Sequence, residues 1–418
     1  MDSSTSELPR IEAPPTPEAP PQPSAPSKSE APPFSTSPPI PIEPVDHPWR
    51  RAALVGFGVF AASRAGLAAI SIFAWIGDPG PGKSIGHVAY VWAAQWDSKW
   101  FIAIADHGYQ PTPDASPAAF FPFYPLLIKL ATPLCLGKSW LAALVVANAA
   151  LLGALIVLYR LTDLELGPKT AARATFYFVA FPTGFFLSAA YNEGLFIALL
   201  LATVYCLRRH HWWAAGLLGG LAAATRSAGI LLVGAFVVEY LRKRPKHWSE
   251  ISALIGIPLG LVAVMVVNQL AYRDPLAFSH TQAEHWGRHL AWPWQAPIDA
   301  FRHAGPHFTE LWTHNVLELA TVLVLGALLL TWRTRDQAVF PLLGVALLAF
   351  MVSFPSRYTT DIPYPLYSAS RIGLEVFPAF MALGVLGRRP WVDRTVLAVF
   401  LTTQGVLAAH FLHAGWVA

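Results

Sequence analysis

The chain has 418 residues, of which 54% are hydrophobic and only 13% are charged, and its formal net charge is +4. A soluble domain usually carries about 25% charged residues, so this composition excludes a soluble enzyme, and it also excludes a collagen or a fully disordered chain. The mean hydropathy of +0.44 and the long apolar runs indicate an all-α polytopic membrane protein.

The beginning of the chain differs in composition from the rest. Fifteen of the 37 prolines lie within residues 1–50, in stretches such as PPTPEAPPQP. Such sequences favour extended polyproline II structure and cannot bury a core. We therefore predict a disordered, Pro-rich cytoplasmic arm over residues 1–48, which acts either as a spacer or as a PxxP ligand. A transmembrane domain is predicted over residues 49–418.

Apolar runs that are long enough, or nearly long enough, to cross a bilayer recur along the second region. A hydrocarbon core about 30 Å thick needs roughly 20 apolar residues per helix. The runs that approach this length are Ala52–Ile76, Ser139–Tyr159, Ala172–Ser188, Glu193–Leu207, Ile251–Tyr272, Val316–Trp332, Ala338–Phe354, Ile372–Leu386 and Trp391–His410. A longer stretch, Trp212–Tyr240, is interrupted by Thr225–Arg226–Ser227 and is predicted to be a helical hairpin. Together these runs predict about eleven crossings.

The basic residues between the apolar runs predict the orientation of the chain. Lys and Arg are concentrated in short loops such as Arg208–Arg209 and Arg242–Lys246, and short loops of this kind face the cytoplasm. This rule places the N-terminus inside, the C-terminus outside, and Arg226 near the outer face. Two large segments, about Gly77–Lys138 and Arg273–His314, then lie outside, so we expect any chemistry at the outer membrane face.

The first outer segment contains the sequence QWDSKWFIAIADHGY over Gln95–Tyr109. Trp96, Trp100 and Ile104 recur at intervals of four, which is typical of a short interfacial helix in this loop. Asp97 stands near the start of the helix, between two indoles. From this spacing alone Asp97 either caps the helix N-terminus or acts as a general base.

The end of the same helix is predicted at Gly108, in the C-cap position. His107 and Tyr109 flank this glycine and are, with Trp96 and Trp100, candidate substrate-binding residues; for His107 a structural role is the alternative. The aromatic sequence FFPFYPLL that follows forms either an interfacial belt or the floor of a groove for an isoprenoid chain.

Three further positions carry polar side chains at the outer membrane edge. Tyr191, Asn192 and Glu193 precede an apolar run, where they could bind sugar hydroxyls, or Glu193 could favour the helix N-terminus. Arg226 interrupts the hairpin; its planar fork suits a phosphate group, and snorkelling toward water is the alternative. Arg371, beside the last outer loop, fits phosphate or carbohydrate, or serves only loop solubility.

Other features of the sequence give weaker indications of a functional site. Arg64, inside the first predicted helix, is a weaker case of the same kind as Arg226: it either binds a phosphate group or pairs structurally with a carboxylate. The group His280, Glu284, His285 and His289 could be drawn as a metal site, but Trp286 interrupts it. The chain contains no P-loop, GxGxxG or HExxH motif. We therefore expect no cofactor, no metal and no nucleic-acid partner.

Taken in order, these segments resemble the GPI mannosyltransferase II (PIG-V-like) family, within the GT-C class of membrane glycosyltransferases. The resembling sequences are QWDSKWFIAIADHGY, AAFFPFYPLL, FPTGFFLSAAYNEGLFIALL, GLAAATRSAGILL and, more loosely, YSASRIGLEVFPAF. The resemblance implies a GT-C-like helix bundle. It also implies transfer of mannose from a polyprenyl-phosphate (dolichyl-phosphate-type) donor to a lipid-linked or glycan acceptor. Asp97 matches the family's catalytic base, Arg226 its hairpin arginine and Glu193 its acidic residue.

The expected mechanism follows from that resemblance. Asp97 takes the proton of the acceptor hydroxyl, while Arg226 and Arg371 hold the donor phosphate. Trp100 and Ala228, near the expected site, differ from the eukaryotic members, so the acceptor stays open. The Ala-rich helices and short outer loops look bacterial, so the expected location is a bacterial cytoplasmic membrane, where no GPI acceptor is expected. Two alternatives remain: a GT-C transferase of another sugar or to protein, and a lipid or solute transporter.

Overall fold

The computed structural model describes residues 47–77, 85–110, 117–242, 246–303, 310–332, 335–356 and 364–417. Within these ranges the chain forms helices and turns and no strand, which confirms the all-α prediction for them. Apart from its last two residues, the predicted arm over residues 1–48 lies outside the described residues, and it stays a prediction.

The helices of the described ranges follow one another with short connections. They are α1 (Pro48–Gly77), α2 (Ile85–Ala94), α3 (Ser98–His107), α4 (Phe123–Ala131), α5 (Ser139–Leu166), α6 (Pro168–Ala180), α7 (Glu193–Arg208), α8 (Trp212–Ala223), α9 (Leu232–Arg242), α10 (Trp248–Ile251), α11 (Gly256–Tyr272), α12 (Ala277–Trp286), α13 (Gln295–His303), α14 (Glu310–Leu329), α15 (Val339–Val352), α16 (Ala369–Ile372), α17 (Phe377–Leu386) and α18 (Pro390–Leu412).

The longest apolar helices confirm an integral membrane protein. In the described ranges four helical stretches are long and apolar enough to cross a membrane: α1, α5, Trp248–Tyr272 and α18. A bent pair, Ala369–Glu375 with Phe377–Leu386, makes a fifth if it is one span. The remaining apolar helices are shorter, because breaks divide them, and the predicted count of about eleven crossings is not confirmed.

Two breaks of this kind lie at predicted site residues. The hairpin break at Thr225–Arg226–Ser227 is confirmed, because α8 ends at Ala223 and Arg226 has an extended backbone, with φ −153° and ψ 146°. The run Ile372–Leu386, which was counted as one crossing, is bent: α16 and a 3₁₀ turn meet α17 at 80°. Pro378, in the first turn of α17, explains why a new helix begins there.

The hairpin helix α8 crosses α11 at very short range. A Cβ atom added to Gly260 of α11 would collide with the carbonyl oxygen of Gly220, and one added to Gly256 would lie 2.6 Å from the carbonyl oxygen of Gly216. Small residues spaced four apart let membrane helices approach closely and pack backbone against backbone. This crossing fixes the position of α8, which leads directly into the Arg226 break.

Candidate active site

Asp97 occupies the N-cap position of α3, but its side chain makes no capping hydrogen bond. Its Oδ2 instead lies 2.9 Å from Nη1 of Arg371, and the two side chains are 31% and 10% exposed, respectively. The capping interpretation of Asp97 is therefore not supported. The carboxylate is held by a buried guanidinium and stays partly open, which leaves room for a ligand beside it.

Arg371 also connects Asp97 to the start of α7. Its Nε lies 3.4 Å from Oε1 of Glu193, which is almost completely buried. The guanidinium carbon lies 5.5 Å from the ring centre of Phe186 and 5.1 Å from that of Tyr191. A guanidinium over aromatic faces is stabilised by the ring quadrupoles. The arginine is thus fixed by two carboxylates and two rings, and solubility of the loop is not its role.

The backbone next to Arg371 is held from two other elements. The backbone N–H and the hydroxyl of Ser370 both donate to the carboxylate of Glu318 on α14, the hydroxyl at 3.0 Å from Oε1. The carbonyl oxygen of Ser370 accepts from Thr183 Oγ1 at 2.8 Å. These bonds hold α16, and with it Arg371, against α14 and the residues between α6 and α7.

Arg226 is the second arginine of the cluster. Its Nη1 lies 2.8 Å from Oε1 of Glu193 and 3.0 Å from Oδ1 of Asn192. Its Nε lies 2.9 Å from Oε1 of Glu375. The amide of Asn192 in turn donates to the carbonyl oxygen of Thr225 at 3.0 Å. Because both carboxylates are buried, Arg226 is a paired interior charge, and snorkelling toward water is not observed.

Glu375 is a site residue that the sequence analysis missed. A local signal existed, because Glu375 follows Arg371 by four residues, the spacing at which helical side chains share a face. Three carboxylates, Asp97, Glu193 and Glu375, thus contact two arginines, which leaves one negative charge in excess.

Arg288, between α12 and α13, is a second missed residue. Burial, followed by repulsion from Arg371 and Arg226, lowers the pKa of Arg288 to about 10, and Asp97 attracts it. Its Nε has no hydrogen-bond partner in the described part of the chain. No local pattern marks this arginine, since its neighbours in space come from distant parts of the chain. With Arg288 the formal charges of the group balance.

The other predicted binding residues lie apart from this group. Trp100 stacks on Phe120 at 5.9 Å between ring centres, and Tyr109 donates to the carbonyl oxygen of Phe120 at 2.6 Å. Trp96 has a left-handed backbone, with φ 51°, and is 40% exposed; His107 is exposed at the end of α3. The contacts of the described residues do not join these four side chains to the ionic group, and their binding roles stay predictions.

Arg64 contacts a side-chain amide. Its Nη1 donates to the amide Oδ1 of Asn148 at 2.5 Å, and within the described ranges no carboxylate contacts it. Its guanidinium carbon lies 5.0 Å from the ring centre of Phe60. Of the two alternatives for Arg64, pairing with a carboxylate is therefore not supported within the described residues.

The ionic group combines two chemical capacities. A partly exposed carboxylate within hydrogen-bond reach of a hydroxyl group can take its proton. Fixed guanidinium groups beside it can stabilise negative charge that develops on a leaving oxygen, and they do so without reorganisation. Together these groups suit a displacement reaction in which a hydroxyl group gives up its proton and the leaving group departs as an anion nearby.

Comparisons with known proteins show that part of this chain is similar to mannosyltransferases. Residues 86–252 match the mannosyltransferase (PIG-V) family. GPI alpha-1,6-mannosyltransferase 2 of Rattus norvegicus is 35% identical over 203 residues, which cover 45% of this chain and 40% of that protein. The human protein of the same name is 31% identical over 151 residues, covering 34% of this chain and 30% of its own length. The chain thus spans two fifths or less of these curated relatives.

One solved structure with a similar course of the chain is ArnT from Cupriavidus metallidurans bound to undecaprenyl phosphate. The two are 14% identical, with a TM-score of 0.47, and the alignment covers 83% of this chain and 75% of ArnT. The resemblance to the PIG-V family that the sequence motifs predicted is confirmed by the family match and the curated relatives.

Proposed function

We propose that this chain, which belongs over residues 86–252 to the mannosyltransferase (PIG-V) family, transfers mannose from a polyprenyl-phosphate donor to a hydroxyl group of a lipid-linked or glycan acceptor. The reaction takes place at the outer face of a bacterial cytoplasmic membrane. The observation that supports it most directly is the contact between Asp97 and Arg371, which puts a partly exposed base beside a buried cation.

The reaction is a single displacement with inversion at the anomeric carbon. The acceptor oxygen forms a bond to this carbon, and the proton of the acceptor hydroxyl moves to the carboxylate of Asp97. The bond between the anomeric carbon and the phosphate oxygen breaks, and its electron pair stays on the phosphate. The products are the mannoside and the polyprenyl phosphate, whose extra negative charge is balanced by the proton now on Asp97.

Arg226 and Arg371 bind the phosphate of the donor. The described contacts use Nη1 and Nε of both arginines, which leaves Nη2 of each to donate to a phosphate oxygen. Removal of one such donor at a developing oxyanion typically costs about 10²–10³ in rate. Because guanidinium groups supply this positive charge, the proposal requires no metal ion or cofactor, and chelation with EDTA should leave the rate unchanged.

The sugar lies against the polar start of α7. Oε2 of Glu193 is buried and has no hydrogen-bond partner in the described part of the chain, so it can accept from a sugar hydroxyl. Tyr191 and Asn192 lie beside it, and the aromatic side chains of Trp96 and Trp100, with His107 and Tyr109, are proposed to line the approach. A buried unpaired acceptor is costly, and a ligand hydroxyl would remove that cost.

The test is transfer of labelled mannose from polyprenyl-phosphate mannose, with membrane lipids of the source strain as acceptor. We expect Asp97→Asn to lower the transfer rate by roughly 10²–10⁴-fold, the usual contribution of a general base. The matched control is Asp106→Asn, which alters an exposed carboxylate of the same helix that accepts from Ser139 Oγ at 3.0 Å. Equal rates for the two variants, at equal protein yield and melting temperature, would refute the proposed base.

A further inference from the structure

A groove between α1, α2 and α5 lies outside the ionic group of the active site. Its volume is about 230 Å³. The lining residues are Arg64, Leu67, Ala68, Ser71, Ala89, Trp92, Leu144, Asn148 and Ser188, so the groove shares no side chain with the ionic group. Most of this lining is apolar, and a single cation, Arg64, is present among the lining residues.

The polar atoms that line the groove make only some of their possible hydrogen bonds with one another. Arg64 Nη1 donates to Asn148 Oδ1, and the amide nitrogen of Asn148 donates to the carbonyl oxygens of Leu144 and Ser188, at 2.8 and 3.1 Å. In the described ranges Arg64 Nε and Ser188 Oγ are buried without a hydrogen-bond partner. Two donors are therefore available at one end of the groove.

The charge of Arg64 needs a partner that the described residues do not supply. An arginine within an apolar membrane helix is costly unless it is paired, and here its main partner is a neutral amide. The planar fork of arginine matches the oxygens of carboxylates and phosphates, and within the described ranges no carboxylate contacts Arg64. The missing partner is therefore best supplied by the phosphate group of a ligand.

The residues around the groove indicate the chemistry of the part of the ligand that is attached to the phosphate. Leu67, Ala68, Ala89 and Leu144 offer only apolar surface. On the same helix Phe73 is 75% exposed, as expected for a surface that faces hydrocarbon. A ligand with a phosphate near Arg64 and hydrocarbon chains along α1 satisfies both parts of the groove.

We propose that this groove binds the phosphate group of a membrane lipid, with Arg64 and Ser188 as its ligands. The proposal is independent of the proposed transfer reaction, because it concerns other residues and its readout is lipid binding. Polyprenyl phosphate and an anionic phospholipid share the relevant chemistry, and the two can be separated by experiment.

The test measures bound lipid by native mass spectrometry of the full-length protein in detergent. The probes are undecaprenyl phosphate and phosphatidylglycerol, each titrated separately. We expect Arg64→Gln to lower the affinity of one lipid-binding event by about tenfold, while Arg50→Gln, which removes an exposed charge from the same helix, leaves it unchanged. Ala68→Leu fills the groove without a change of charge and should reproduce the loss, which keeps the test valid if Arg64→Gln folds poorly.

Each outcome of this experiment decides the proposal. A loss confined to undecaprenyl phosphate supports the site and identifies a polyprenyl lipid as its ligand, and a loss confined to phosphatidylglycerol identifies a phospholipid. A loss of both supports a site for lipid phosphate in general. Unchanged binding of both lipids by Ala68→Leu and by folded Arg64→Gln overturns it, whatever the transfer rate of Asp97→Asn.

Discussion

Arg371 Nη1 lies 2.9 Å from Oδ2 of Asp97, while Nε of the same guanidinium lies 3.4 Å from Oε1 of Glu193. One side chain of α16 therefore joins the start of α3 to the start of α7. Buried carboxylates are tolerated in proteins when they are paired in this way. The same contact keeps the proposed base next to the cation that we propose to bind the departing phosphate, so in the proposed reaction proton uptake and charge development occur at adjacent atoms.

The first prediction concerns this bridge. Arg371→Gln should lower mannose transfer by about 10²-fold or more, because one fixed donor to the developing phosphate charge is lost. Arg371→Lys should recover only a small part of the rate, since an ammonium group cannot contact two carboxylates and a phosphate with fork geometry. The measurement is the initial transfer rate with labelled donor.

Arg388→Gln provides the control for this pair of variants, because it removes an exposed arginine from the residues after α17. We expect this variant to transfer mannose at the wild-type rate. A lysine variant as active as the wild type would show that a single positive charge is enough and that the bridge has no geometric role.

The second prediction uses the buried pair Arg226 and Glu375. Glu375→Gln should destabilise the protein by about 1–3 kcal/mol, because Arg226 loses one of its two carboxylates but keeps Glu193. In an Arg226→Met background, Glu375→Gln should destabilise the protein less or even stabilise it. In that background the substitution neutralises a buried carboxylate that no longer has Arg226 as its partner. The midpoints of thermal unfolding for the four proteins of this cycle measure the coupling. Additive shifts would contradict the pairing.

Part of this arrangement could be predicted from local sequence. The starts of α5, α7 and α8 at Ser139, Glu193 and Trp212 coincide with the predicted runs, because apolar runs that follow polar or basic flanks define such helices. The break at Arg226 was visible for the same reason: a charged residue divides an apolar stretch.

The pairing of charges could not be derived in this way. Asp97, Arg288 and Arg371 lie far apart in the sequence, and no periodicity tells which segments fold against each other. The bend before α17 was not predicted, because the run Ile372–Leu386 is apolar apart from Glu375, so length and hydropathy alone predict one continuous span. Only the tertiary packing of the helices determines which of the paired residues meet.

The third prediction tests the close crossing of α8 and α11. Gly260→Ala should destabilise the protein by more than about 2 kcal/mol, because its Cβ would collide with the carbonyl oxygen of Gly220 and the two helices must separate. Transfer should fall as well, since α8 leads into the Arg226 break. Gly234→Ala on α9 is the matched control: its Cβ meets nothing within 4 Å, so the same substitution should be neutral or slightly stabilising. Equal melting temperatures for both variants would exclude a tight crossing.

The last prediction concerns Arg288, whose charge is unfavourable for stability and favourable for activity. Burial and the two neighbouring arginines lower the pKa of Arg288 to about 10 from its ordinary value of 12.5, so the folded state binds this proton less tightly than the unfolded state. It follows that the charge destabilises the protein at neutral pH and that this cost decreases as the pH rises from about 10 toward 12.5. Arg288→Gln should therefore raise the melting temperature at pH 7.

We further propose that Arg288, which interacts with Arg371 and Arg226, is a third guanidinium for the donor phosphate, so the same variant should weaken the stabilisation that undecaprenyl phosphate gives to the wild-type protein. Arg302→Gln, which alters an arginine that is 70% exposed and lies 3.6 Å from Asp299, should change neither quantity. Melting curves with and without the lipid measure both effects in one experiment. A variant that melts lower than the wild type and still gains full stabilisation from the lipid would show that Arg288 is a structural residue outside the phosphate site.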